Sequence, residues 1–438
     1  MVEVENKIQR YTSYKNSGVE WLGEIPEHWQ VKPGFTILFE SKEKNTGFKE
    51  NTVLSLSYGN VIIKPKEKLT GLVPESFETY QLVEPGDIII RPTDLQNDKT
   101  SLRTGLAKDK GIITSAYINL RIFKGYSNKY FHYYLHTIDI NKVIYGLGSG
   151  LRQNISFEDF KRFPFPFPPL PEQTAIAQFL DDKTTKIDEA IAIKQQQIAL
   201  LKERKQILIH KAVTRGLNDK VALKDSGVEW IGEIPEHWEV SKLFGLADFV
   251  RGNTPFSKDE LLNKGSYVAL QYGKTYKVDK IDENYSFYIN DEFYKESQIV
   301  NDGDTILIST SETIEDLGHS AFYSRNDLGL LGGEQIMLHP YQEKLNGHYL
   351  YFLSKTFSKQ LRKFATGIKV FRFNINDLKT IYISLPPLSE QREIANYIET
   401  ASAKIDTAIG LKEQEIEKLQ EYKSSLINSV VTGKVKVC

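Results

Sequence analysis

The sequence predicts an α+β protein in which two homologous domains alternate with two long helices, the helices pairing as an antiparallel coiled coil about a pseudo-twofold axis. Three observations predict it. SGVEWLGEIPEHW at Ser17 to Trp29 returns as SGVEWIGEIPEHW at Ser226 to Trp238, with a difference only at Leu22 and Ile231. PPLPEQTAIAQFL from Pro168 returns as PPLSEQREIANYI from Pro386, each followed by Lys-Ile-Asp, at 186–188 and at 404–406. Between these motifs apolar and polar residues alternate, as in VLSLSYGNVII from Val53 and GDIIIRP from Gly86, which is the period of strands. The chain is therefore a tandem duplication. Its segments are 1–170, a first domain; 171–216, a central helix; 217–385, a second domain; and 386–438, a C-terminal helix.

In the domains, YVALQYGKTY from Tyr267 and GDTILIST from Gly303 correspond to the strands just named, and YFHYYLHT from Tyr130 and YLYFLSKT from Tyr349 each read as one short helix. Each Pro-Pro stops the preceding strand and leaves a proline at a helix entrance, where its missing N–H costs little. A 3,4 spacing then runs through Leu180, Ile187, Ile191, Ile198, Leu201 and Leu208, and again through Ile398, Ile405, Ile409, Ile416, Leu419 and Leu426. The polar interruptions also coincide: Thr184 with Ser402, Lys194 with Lys412, Lys205 with Lys423. One such stripe could pack on its own domain. Two stripes in one register favour mutual pairing, over a seam of about 53 Å from Ala177 to Ala212 at 1.5 Å per residue.

Composition narrows the functional classes. Fifty-six basic residues against 57 acidic give a net charge of -1, which argues against a polycation that coats nucleic acid indiscriminately and leaves site-specific binding open. Cys438 is the single cysteine, which excludes an intramolecular disulfide and a cysteine-rich zinc site. No apolar run is long enough to cross a membrane and the start lacks a signal peptide's apolar stretch, so a cytoplasmic, membrane-free protein is expected.

Phosphates are met by Lys, Arg, Ser, Thr and backbone N–H groups, and bases are read by Arg, Asn, Gln, Lys and stacking aromatics. The first domain offers Lys42, Lys44 and Asn45; Ser57, Tyr58 and Asn60; Lys99, Ser101 and Arg103; and Ser149, Arg152, Gln153 and Asn154. The second offers Arg251, Asn253, Thr254 and Lys258; Gln271, Tyr272, Lys274 and Thr275; Ser309, Thr310, Ser311 and Thr313; and Lys369 and Arg372. They fall at equivalent strand ends, and the two sets differ. Under the 218-residue offset of the Pro-Pro motifs, Arg152 and Gln153 become Val370 and Phe371, so the last loop of the second domain departs most.

The paired VEWLGEIPEHW and VEWIGEIPEHW segments, the PPLPEQ and PPLSEQ helix entrances and RPTDLQNDKTSLRTGLAKDKGIITSAY from Arg91 resemble the specificity (S) subunit of type I restriction-modification systems, over nearly the whole chain. The resemblance implies two target recognition domains, each reading half of a bipartite, asymmetric double-stranded DNA site, with half-site centres about 34 to 36 Å apart if both face one side of the duplex. It implies no catalytic residue in this chain. Two modification (methyltransferase) subunits would bring S-adenosylmethionine, and restriction subunits would bring ATP and Mg²⁺ chemistry.

Catalytic readings find little footing. The adenine methyltransferase signature of Asp, Asn or Ser followed by Pro-Pro and an aromatic is absent, as is a GxxxxGK[ST] phosphate loop. GLGSG at Gly146 to Gly150 precedes no βαβ pattern, and His132 and His136 lack the glutamate of a zinc helix. A single-chain nuclease or adenine methyltransferase remains as the alternative from another class, with a DNA-binding scaffold of a modification-only system and a purely structural adaptor as further alternatives. Trp21, Trp29, Trp230 and Trp238 all lie in the near-identical repeats, which would suit a frame better than two different DNA sequences.

Overall fold

The computed structural model describes residues 9–65, 76–93, 95, 101–146 and 154–437. Its longer helices are α1 (Asn128–Ile140), α2 (Leu170–Arg215), α3 (Gly347–Leu361) and α4 (Leu388–Val431). The chain forms two compact units, residues 1–194 with 413–438 and residues 195–412. These cut across the segment boundaries read from sequence, because the ends of the long helices are built into the domain cores.

In the first unit a four-stranded antiparallel sheet takes the order Leu38–Glu40, Ile118–Ile122, Ile88–Ile90, Thr104–Leu106. Side chains alternate across a strand, so Ile88 and Ile90 enter the main core while Ile89 enters a second one with Leu54, Val61 and Val83. Helix α1 lays Phe131, Tyr134, Leu135 and Ile138 on the main core, and Ser127 caps it by accepting from the Tyr130 N–H. The same core takes Ile176, Ala177 and Leu180 from the start of α2 and Ile427, Val430 and Val431 from the end of α4. These two helical segments run antiparallel, with Lys423 donating to both carboxylate oxygens of Asp188 at 2.6 and 2.7 Å and Lys194 pairing with Glu415.

The second unit holds a five-stranded sheet in the order Ala247–Arg251, Gln335–Pro340, Thr305–Ile308, Ser320–Tyr323, Lys280–Ile281, and a four-stranded sheet around Tyr267–Leu270. Leu307 enters the main core and Ile306 a second one, which repeats the split seen at Ile88–Ile90. Asn346 caps α3 by accepting from the Tyr349 N–H at 3.1 Å. Here Ile209, Ala212 and Val213 from the end of α2 share the core with Ile394, Ala395 and Ile398 from the start of α4, again antiparallel, and Lys205 reaches Asp406 at 2.7 Å.

The expected seam is the buried face of both helices. Leu180, Ile187, Ile398 and Ile409 are buried, and Ile191, Ile198, Leu201, Leu208, Ile405, Ile416, Leu419 and Leu426 are half-buried. The ion pairs flank it in the same places in both units, since Asp188 and Lys205 of α2 correspond to Asp406 and Lys423 of α4.

The repeated motifs lock onto one another. Glu172, in the first turn of α2 where the helix dipole favours an anion, accepts from Trp29 Nε1 at 3.0 Å, from His28 Nε2 at 2.9 Å and from the Tyr11 hydroxyl. Glu390 does the same for Trp238 at 2.9 Å and His237 at 2.7 Å. Gln173 accepts from the Ser127 N–H and donates to the Pro168 carbonyl, while Gln391 accepts from the Asn346 N–H and donates to Pro386. Each Glu-Gln pair thus ties a long helix to its domain's tryptophan and to the cap of its short helix. The Tyr130 hydroxyl closes the unit on the Val431 carbonyl, and Tyr349 closes the other on Val213, each at 3.1 Å.

Candidate nucleic-acid interface

Second-unit candidates converge. The strand Tyr267–Leu270 ends in Gln271, and Tyr272–Thr275 turns into one helical turn that carries Lys274 half-buried over the Phe287 ring. The Tyr272 hydroxyl donates to the Thr310 carbonyl at 3.0 Å, and Thr310–Ser311 pairs with Phe371–Arg372. Thr254 bridges to Gly332, whose N–H donates to Leu270, so the Arg251 loop joins the same edge. Lys295 holds Asn253 at 3.1 Å. Arg251, Asn253, Lys258, Thr313, Lys369 and Arg372 are exposed, with the acidic Glu312 and Glu334 among them. Burial, and then those two carboxylates, raise the Tyr272 hydroxyl above its ordinary range.

Several candidates of that edge are interior. Thr254, Thr275, Ser309, Thr310 and Ser311 are buried. Ser309 donates to the Glu334 carbonyl, Thr310 to the Glu334 carboxylate and Thr275 to the Gln271 carbonyl. The hydroxyls of Ser309, Thr310 and Thr275 are thus engaged within their own unit.

First-unit candidates divide into two groups. Ser57, Tyr58 and Asn60 form the tip of the hairpin Leu54–Ser57 with Asn60–Ile63. A Cβ on Gly59 would lie 3.0 Å from Leu102, so the tip rests beside Ser101 and Arg103. Lys42, Lys44 and Asn45 sit elsewhere: Lys44 donates to Ser115 at 2.7 Å, Lys42 pairs with Glu40 at 2.9 Å, and the Asn45 N–H donates to Tyr80. This group neighbours the strand Gln81–Val83, and the opposite end of the hairpin from its tip bridges through Val53 to Ile112. The sequence could not separate the two groups, because alternation gives strands and not their partners.

Two first-unit candidates are corrected by burial. Asn45 is fully buried and clasps its own loop, donating to the Glu50 carbonyl and accepting from its N–H. Arg103 is fully buried; its guanidinium donates to the Thr93 carbonyl at 2.6 Å and the Tyr145 hydroxyl at 3.3 Å, and so holds Leu102 under the hairpin. Asn154 is exposed and Ser101 half-buried, whereas Lys99, Ser149, Arg152 and Gln153 lie outside the described residues.

Ile368, which is not among the sequence candidates, is 95% exposed between Gly367 and Lys369. An isolated isoleucine in a loop carries no nucleic-acid signal; the clue was Gly367, whose φ of 109° makes the loop turn back so that Thr366 bridges Arg372. His132 and His136 stack at 6.0 Å and are half-buried in the first unit, with His132 Nε2 and His136 Nδ1 buried and without a hydrogen-bond partner. Burial pushes them down to about 3 and about 4. No cluster of three or more metal-ligating side chains occurs among the described residues. No helix among them is long and apolar enough to cross a membrane.

Two similar frames carrying different loops match a known family twice over: residues 30–203 and 235–420 both fit the type I restriction modification DNA specificity domain. The chain belongs to that specificity-subunit family. The S subunit is 27% identical to the type I restriction enzyme MjaVIII specificity subunit of Methanocaldococcus jannaschii over 75% of each chain. It is 22% identical to the EcoKI specificity subunit of Escherichia coli K12, over 94% of this chain and 90% of that one. Its fold is similar to a chain solved in a study of type I R-M complex assembly, with TM-score 0.69 and 13% identity over 93% of this chain and 98% of the other. It is also similar to the HsdS subunit of Thermoanaerobacter tengcongensis, with TM-score 0.50 and 14% identity over 94% and 98%. As a type I specificity subunit, the chain serves DNA recognition within a restriction-modification system, in a family that is generally non-catalytic.

Proposed function

We propose that each unit reads one half of a bipartite, asymmetric target in double-stranded DNA, while the long helices set the spacing and dock two modification subunits that methylate adenine. S-adenosylmethionine belongs to those subunits, and ATP with Mg²⁺ to restriction subunits that join them; this chain binds and performs no chemistry. One observation carries the reading: the two frames coincide residue for residue at Trp29–Glu172 and Trp238–Glu390, while the loops they present differ in length and chemistry. A frame repeated twice suits two copies of one partner, and unlike loops suit two unlike half-sites. Further support for docking is the exposed apolar pair Leu200 and Ile207, seven residues apart on α2, and Phe35 and Phe244, exposed at the same place in both repeats.

The contact set proposed for the second unit is Arg251, Asn253, Lys258, Gln271, Lys274, Thr313, Lys369 and Arg372. For the first it is Ser57, Tyr58, Asn60, Ser101 and Asn154, with Lys42 and Lys44 as outlying phosphate contacts. The test is binding of the chain, assembled with its modification subunits, to host DNA fragments over a salt series. Specific, salt-sensitive binding is expected, and Lys274→Ala should lower the salt slope by about one if it meets a phosphate. Methylation or cleavage by the purified chain alone would reject the reading.

A further inference from the structure

The hairpin of Leu54–Ser57 with Asn60–Ile63 turns through two residues, Tyr58 and Gly59, with φ of 47° and 77°. Consecutive positive φ values match the right-handed twist of a tight hairpin, and the residues that tolerate them are Gly, Asn and Asp. Gly59 suits the turn. Tyr58 does not, since a bulky side chain at positive φ is strained. The strain gains no packing: Tyr58 is 90% exposed. Asn60 Nδ2 donates to the Tyr58 carbonyl at 3.2 Å and Leu102 supports Gly59, so the turn is held rigid from below while the ring projects into solvent.

The other repeat shows that a tyrosine here need not project. Tyr272-Gly273 stands at the matching position, yet Tyr272 is half-buried, bonded to Thr310 and stacked on Tyr276 at 6.2 Å. The second unit projects a different side chain, Ile368, from the loop that Gly367 turns and Thr366 with Arg372 closes. Tyr58 and Ile368 are the two most exposed large apolar side chains among the described residues, and each sits among the polar groups of its proposed DNA contact set.

We propose that each unit drives one side chain into a base step of the bound duplex, Tyr58 in the first and Ile368 in the second, unstacking that step. Apolar wedges act this way in duplex-bending proteins, and an aromatic can also stack on a base without reading its edge. Polar neighbours, Ser57 and Asn60 on one tip and Lys369 and Arg372 beside the other, would then fix the register.

The inference rests on the DNA-recognition reading and is tested on the full chain with its modification subunits. The probe is a duplex carrying the mapped methylation target, with 2-aminopurine replacing successive bases. Fluorescence should rise at one step in each half-site in addition to the methylated adenine. Tyr58→Ala should abolish that rise in one half only and weaken binding about 5- to 150-fold, with an unchanged salt slope. Tyr58→Phe should retain both, and Ile368→Ala should silence the other half-site alone. Tyr58→Asn relieves the turn, so its melting temperature should equal or exceed the native one while binding still weakens, which separates lost stacking from misfolding. Native binding and unstacking by Tyr58→Ala, or a reduced salt slope, would overturn the proposal. A native complex with no preference for its target would instead sink the recognition reading itself.

Discussion

Replacing Glu172 by alanine removes the group on which Tyr11 and two side chains of the repeat, His28 and Trp29, converge. Trp29 is fully buried and loses the acceptor of its Nε1 proton; the Tyr11 hydroxyl loses its bond to the carboxylate, whereas His28 is half-exposed and can turn to water. An orphaned buried donor costs about 1–3 kcal/mol, and the lost charge-assisted bonds bring the expected destabilisation to about 2–4 kcal/mol. Glu390 is the internal control. Its side chain is 35% exposed against 10% for Glu172, and Lys220 stands where the first repeat has Tyr11, so water can replace its carboxylate and Glu390→Ala should cost about 1–2 kcal/mol. At roughly 2–4 °C per kcal/mol for a unit of this size, the first variant should lower its transition by about 4–16 °C and the second by about 2–8 °C. Calorimetry with tryptophan fluorescence measures both. A Glu390→Ala loss as large as that of Glu172→Ala, or a Glu172→Ala loss below about 1 kcal/mol, would refute the reasoning.

Two further outcomes are expected. The exposed pair Lys423 with Asp188 contributes little in itself, about 0.2–1 kcal/mol, but Lys423→Asp sets two carboxylates together and Asp188→Lys two ammonium groups; the double exchange should recover stability to within about 0.5 kcal/mol, and a double variant no better than the summed singles would contradict the antiparallel register. His132 and His136 are held neutral by burial, so their contribution is fully present above pH 6.5 and falls as pH drops below it, by about 1.4 kcal/mol per unit for each. Denaturant titrations between pH 7.5 and 5 should therefore show a shallower loss for the doubly substituted His132→Phe, His136→Phe chain, and an identical slope would contradict their burial.

The duplication, the helices and their seam were legible because each is a periodic or repeated pattern, and Ile187 with Ile405 or Asp188 with Asp406 can be matched by counting. The interlock was half legible: the repeats contain Trp29, Glu172, Trp238 and Glu390, but only the fold shows that they touch. Contact residues were the least legible. Arg103 and Asn45 have the residue types of DNA readers and serve as loop clasps, because composition does not report which way a side chain points. Ile368 was passed over for the converse reason, its chemistry being that of a core.

The central claim is that two unlike units each select half of one target. Residues 217–385 should be exchanged for those of another specificity subunit, and methylated adenines mapped across host DNA with the native and exchanged chains. The account predicts that one half of the modified sequence changes while the other half and the spacing stay. A change in both halves, or in neither, would contradict it.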